Sequence, residues 1–205
     1  MLREATGEDV HLMLSWRNQE INRQASKNSH VISVEEHLRW WSAVRADPTR
    51  RVLTYRHDDL PCGVVTFFDL RFDQHRTGSW GFYLDAEGLA ARGATLPAWL
   101  AVMRAAVDYA FDVLELDRLD GEVLADNTVV RQMNRRFRFV EGTGRQEVHN
   151  GRQITVIPIS LHRSDRRVLD FSGKSTCRSH HVSSTPYIIQ RLAITDHRRT
   201  REHPA

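Results

Sequence analysis

The chain has 205 residues, 40% of them hydrophobic and 27% charged, with a formal net charge of +3 at pH 7. This is a globular composition with room for one compact domain, and it excludes a disordered or collagen-like chain. No apolar run approaches the roughly 20 residues that cross a bilayer, and the two cysteines, Cys62 and Cys177, are too far apart in sequence to suggest a disulfide scaffold.

In chain order, Met1–Thr6 reads as a strand and Gly7–Arg17 as a helix with Val10 and Leu14 on its apolar side. Residues 33–47 predict a second helix. Ser33 stands three residues before Glu36, the capping-box spacing, and Leu38, Trp41 and Val44 offer a buried face. Three strands follow: Arg51–His57 ending at an Asp58-Asp59 turn, Pro61–Phe72, and Gly78–Leu84 after a polar loop. Thr95–Leu114 predicts the longest helix, with Pro97 tolerated in its first turn. Arg118–Leu124 is a strand, a short helix and strand follow between Asp126 and Gly142, and Arg152–Leu161 closes the sheet as an alternating strand. The order mixes hairpins with two crossover units. It predicts an α/β layered sheet, antiparallel in its first half.

Charge divides the chain at about residue 162. Residues 163–205 hold nine Lys and Arg against four Asp and Glu, a net of +5, so residues 1–162 carry −2. We expect a single domain over 1–162 and a basic Ser/His/Arg-rich tail over 163–205. Cys177, His180 and His181 lack a fourth ligand and a fixed spacing, so no metal is expected. The charged N-terminus has no apolar leader region, and with few cysteines a cytoplasmic location is expected. No membrane partner is expected, and a homodimer is admissible.

The segment from Asp108 to Gly142 resembles the GNAT superfamily of acetyl-CoA-dependent N-acetyltransferases. Tyr109-Ala110-Phe111, Asp126-Asn127, Phe137, Phe139 and Glu141-Gly142 fall where the ribosomal-protein N-terminal acetyltransferase subgroup has its helix end, strand end, aromatic pair and turn. Ser15–Asn18 and Ile32–Trp41 look like the amino-terminal region of the amino-sugar N-acetyltransferases of pseudaminic acid synthesis. The resemblance spans about Leu2 to Leu161. It implies a mostly antiparallel sheet whose fourth and fifth strands run parallel and splay apart. Acetyl-CoA would lie in the gap, its pantetheine arm against the backbone of Phe82, Tyr83 and Leu84. Its pyrophosphate would meet Arg92-Gly93-Ala94-Thr95, with Gly93 allowing close approach and Thr95 as N-cap, and Asn127 would reach it from the strand end.

The sequence departs from that family at two chemical positions. The fourth-strand glutamate that serves as base falls on Ser79. The tyrosine that protonates the leaving thiolate falls on Asn134, which can hydrogen-bond but has no proton to give near neutral pH. Substitute groups are Glu122 on the fifth strand, Asp69 at the end of the third, His37 and His75. His37 and Asp69 are favoured as acceptor-side groups, with Tyr83 and Arg17 as acceptor contacts, Arg17 for a nucleotide diphosphate. The expected partner is therefore a small-molecule amine, an amino sugar first and a protein N-terminus second. The third alternative is a non-catalytic acyl-CoA-binding or nucleic-acid-associated module, with Arg131, Arg135, Arg136 and Arg138 as a phosphate-binding stripe. No helix-turn-helix accompanies them, so no specific nucleic acid is expected.

Overall fold

The computed structural model describes residues 1–149 and 151–166. One sheet of eight strands organises them, in the order β1-β2-β3-β4-β5-β8-β6, with β7 also pairing β8. The strands are β1 (Leu2–Glu4), β2 (Arg51–His57), β3 (Leu60–Arg71), β4 (Thr77–Leu84), β5 (Arg118–Leu124), β6 (Val140–Glu141), β7 (Arg145–His149) and β8 (Arg152–His162). The helices are α1 (Val10–Asn18), α2 (Glu20–Gln24), α3 (Val34–Ala46), α4 (Ala86–Ala91), α5 (Thr95–Asp108) and α6 (Thr128–Arg136). Every neighbouring pair in the sheet is antiparallel except β4 with β5.

Local chemistry explains several of these elements. Asp58 and Asp59 both adopt positive φ, 49° and 59°, as a two-residue hairpin requires, and short polar side chains reach that region at lower cost than branched ones. Ser33 caps α3, its Oγ accepting from the Glu36 N–H at 3.1 Å, while the Glu36 carboxylate sits on His30. Ser33→Ala is expected to cost about 1 kcal/mol, read as a lower urea midpoint at unchanged slope.

The sheet buries both faces. On one, Trp99, Val102, Met103 and Ala106 of α5 pack against Phe67, Trp80 and Phe82. On the other, Val10, Met13 and Trp16 of α1 and Trp41 of α3 cover Val52, Val64 and Tyr83. Trp80 stacks on both Phe82 and Phe139, with centroids 5.6 and 5.8 Å apart.

The structure revises three sequence expectations. Glu20–Gln24, Ala86–Ala91 and Arg145–His149 form α2, α4 and β7, which polar or short stretches concealed. The longest helix stops at Asp108 and widens into a π turn over Tyr109–Val113, where the Leu114 N–H reaches back to Tyr109 O. Ala94, not Thr95, is the N-cap of α5, because Gly93 and Ala94 first close α4. Asp69 lies two residues before the end of β3, as expected, at a register shift between Phe68 and Arg71. Of the expected tail, residues 163–166 turn back onto the domain. The Arg163 guanidinium donates to Leu116 O at 3.0 Å and Arg166 pairs with Asp108 and Asp112. Cys177, His180 and His181 lie outside the described residues.

Candidate active site

The parallel strands β4 and β5 pair only where Thr77–Ser79 face Arg118–Asp120, yet β4 continues to Leu84 and β5 to Leu124. Ser79 and Asp120 are the last paired residues, so the strands fork beyond them. A cavity of about 560 Å3 opens beside this fork, within the range of small-molecule sites. Its wall includes Asp69, Ser79, Asp120, Glu122, Glu147 and Lys27.

Most charges in this cavity are already matched. Asp120 pairs with Arg118 at 2.9 Å. Glu122 receives Lys27 at 2.6 Å and also Arg145. Glu147 receives Lys27 at 3.0 Å, Arg145 at 2.8 Å and His149 at 2.7 Å. Burial works to raise the Glu147 carboxyl, but His149, Lys27 and Arg145 together outweigh it and hold it at about 2. Asp69 differs. It is exposed, adopts φ 53°, and has no ion pair among the described residues.

Asp69, Ser79 and Glu122 are therefore brought together, whereas Arg17, His37 and Tyr83 lie outside the cavity wall. Arg17 and His37 are 2% and 4% exposed. The Arg17 Nη2 donates to Asn28 O at 3.0 Å, while its Nε and Nη1 have no hydrogen-bond partner. Burial lowers the pKa of Arg17 and raises that of Tyr83, each partly offset by the other's proximity. His37 stacks on Trp40 at 5.0 Å. Burial lowers its pKa, opposed by a hydrogen bond to the Val10 backbone and aided by the Arg17 charge, and its Nε2 is unpartnered.

A pH dependence follows with a definite sign. Above about 6.5, the ordinary value, both folded and unfolded chains hold this ring neutral. As pH falls below that, the unfolded chain binds a proton that the folded chain resists, so stability declines until the lower folded value is passed. The urea midpoint should fall between pH 7 and pH 5, and fall less in His37→Leu.

Asn134 on α6 is fully buried, and neither Nδ2 nor Oδ1 has a partner. Asn127 caps α6, its Oδ1 accepting from the Val130 N–H at 3.3 Å. Beyond Ser79 the edges of β4 and β5 that face each other, including Phe82 to Leu84, have no strand pairing, although the Leu84 O already accepts from the buried Asn22 Nδ2 at 2.8 Å. In the expected phosphate loop Gly93 has φ 64° with open space where a Cβ would project. Its N–H bonds Ala90 O and that of Ala94 bonds Leu89 O, a Schellman closure of α4. Arg92 is exposed. The first intrahelical bond of α5 runs from Ala98 to Ala94, leaving the Thr95 and Leu96 N–H groups directed out of the helix, since Pro97 has none. A buried orphan amide, a free strand edge and a helix N-terminus beside an arginine together fit an acyl-CoA.

Of the basic stripe, Arg136 and Arg138 stay exposed with no ion pair among the described residues, while the other two arginines turn to a carboxylate. Arg131 forms a two-pronged pair with Glu141 at 2.9 and 2.8 Å, and Arg135 reaches the same carboxylate. Sequence reasoning missed Lys27, Asp120, Arg145 and Glu147. Asp120 was findable, because strand alternation puts it on the face of Glu122. Among the described residues no His, Cys, Asp and Glu cluster could hold a metal, and no helix is long and apolar enough to cross a membrane.

No known family profile matches the chain. It is 26% identical over 126 residues to acetyltransferase PseH of Campylobacter jejuni serotype O:2, an alignment spanning 60% of this chain and 72% of that protein. Its fold superposes on spermidine N-acetyltransferase from Vibrio cholerae, solved with CoA and spermine, with TM-score 0.66 and 19% identity over 80% of this chain and 96% of the other. Campylobacter jejuni PseH, solved with acetyl coenzyme A, superposes with TM-score 0.56 and 16% identity over 80% and 99%.

Proposed function

We propose that this chain, an acetyl-CoA-dependent N-acetyltransferase of the GNAT type resembling PseH, acetylates the primary amine of a small molecule bearing one ammonium group, an amino sugar in nucleotide-linked form. The observation that carries this reading is the charge balance of the cavity at the β4–β5 fork. Asp120, Glu122 and Glu147 are each matched by Arg118, Lys27, Arg145 or His149, which leaves Asp69 to receive one cation. The sugar class rests on the likeness of Ser15–Asn18 and Ile32–Trp41 to amino-sugar enzymes. A cytoplasmic location belongs to the same reading.

Acetyl-CoA would supply the activated acyl group, held by the Phe82–Leu84 strand edge, the Asn134 amide, Arg92 and the N-terminus of α5. The remaining work belongs to this chain's own groups. Asp69 draws the acceptor ammonium toward the fork, and Ser79, the last residue of β4 paired with β5, marks where the amine is presented. An amine reacts only after losing its proton. With serine and asparagine where the family has its base and acid, the amine's proton would leave through the open cavity to water, and the departing thiolate would take its proton from water in the same way. Orientation at the fork then supplies most of the rate.

The test is release of free CoA thiol with purified protein and four acceptor classes: nucleotide-linked amino sugars, aminoglycosides, spermidine and peptides with free N-termini. Turnover with an amino sugar alone is expected. Turnover with peptides alone would replace the reading by an N-terminal acetyltransferase. A rise in melting temperature with acetyl-CoA but no thiol release would leave a non-catalytic binding module.

A further inference from the structure

We infer that Lys27 determines the acceptor class, its ammonium occupying among the cavity's carboxylates the place that a second ammonium of a polyamine would otherwise take. This rests on the fork cavity being the acceptor site.

Lys27 is not an ordinary surface lysine. Its side chain is 10% exposed, and Nζ lies 2.6 Å from Glu122 and 3.0 Å from Glu147. The segment that carries it, between α2 and α3, is pinned on both sides. Ser26 Oγ donates to Asn22 O at 2.7 Å, Arg17 donates to Asn28 O, Arg23 donates to Ser29 O at 3.1 Å, and the Asn18 amide makes two 2.9 Å bonds to the Ile32 backbone. Lys27 is thus delivered from the α1–α3 side across the cavity to carboxylates on β5 and β7.

Its removal changes one quantity. Glu122 and Glu147 carry two negative charges, matched by Lys27 and Arg145, with His149 on Glu147. Without Lys27 the pair keeps Arg145 as its permanent cation, because the His149 ring adds charge only when protonated, so beside a neutral His149 one unmatched charge stays in the same cavity as the unpaired Asp69. Two unmatched carboxylates in one cavity suit a molecule with two ammonium groups. With Lys27 present only one remains, and a polycation must also bring its second charge up against the lysine.

Spermidine is the probe. Calorimetric titration into wild type, Lys27→Met, Lys27→Arg and the double variant Lys27→Met/Glu147→Gln separates the possibilities, with thiol release measured alongside. Lys27→Met should bind spermidine at least about tenfold tighter than wild type, the change expected from one added partly desolvated ion pair. Lys27→Arg, which keeps the charge, should not. In the double variant, where both charges are gone, the gain should vanish even if Lys27→Met alone folds poorly. Equal spermidine affinity in wild type and both Lys27 variants, or a gain in Lys27→Arg matching that in Lys27→Met, would overturn the inference. Thiol release reports separately on the acetyl-transfer reading. Its absence from every variant, with the spermidine gain intact, would sink that reading and leave the role of Lys27 standing.

Discussion

Asn134→Leu is expected to raise the melting temperature while lowering kcat/KM for acetyl-CoA by about 10²-fold, the scale set by losing one well-placed hydrogen-bonding group from an acyl-transfer site. The two effects have one cause. Asn134 is fully buried with both side-chain polar atoms unpartnered, although its backbone oxygen accepts from the Phe139 N–H at 3.0 Å. An unsatisfied buried amide costs about 1–3 kcal/mol, and a leucine of similar size removes that cost. A side chain that destabilises the free protein yet serves a bound thioester or thiol produces the usual opposition between stability and activity. Differential scanning calorimetry and initial rates on the same preparation decide the matter. A higher melting temperature with unchanged kinetics would make Asn134 a packing residue. A lower one would mean that its amide supports the fold, not a ligand.

The reach of the sequence follows the range of the interaction being read. The Ser33 cap and the Asp58-Asp59 hairpin are written within a few residues, and both form. Ser79 is legible because the family's fourth-strand base falls on it, and Glu122 because it is a carboxylate on the neighbouring strand, so resemblance and strand assignment together reach two cavity residues. Lys27 could not, because its partner Glu147 lies 120 residues away and neither residue stands in a pattern that announces a site. The same limit explains α2 and β7. "EINRQ" and "RQEVH" are polar and short, and they exist because neighbouring strands and helices supply their hydrogen bonds and packing. Gly93 is more instructive still. The sequence reads it as a glycine allowing close approach of a phosphate, whereas its φ of 64° serves to close α4, a helix hidden in a stretch that reads as a loop. The resemblance places His37 on helices that line the acceptor cleft and Arg17 as a diphosphate contact, yet the packing of α1 and α3 over the sheet buries both.

Asp69→Asn is expected to raise KM for the acceptor amine about tenfold and to leave KM for acetyl-CoA unchanged. The substitution suits the site for a backbone reason. Asp69 holds φ 53° at the β3 irregularity, a conformation that asparagine adopts as readily as aspartate and alanine does not. Asn therefore removes the charge alone, whereas Asp69→Ala would add backbone strain of about 1 kcal/mol and confuse the reading. The magnitude is moderate because this carboxylate is exposed before the cavity fills, and an exposed ion pair is weak until its partner excludes water. High salt should reproduce part of the effect in wild type and none in the variant. If Asp69→Asn leaves the acceptor KM unaltered and Glu122→Gln raises it, the acceptor ammonium sits against β5 instead. Lys27 would then have to be displaced each time the substrate enters, a result visible as acceptor binding that weakens in Lys27→Arg and tightens in Lys27→Met.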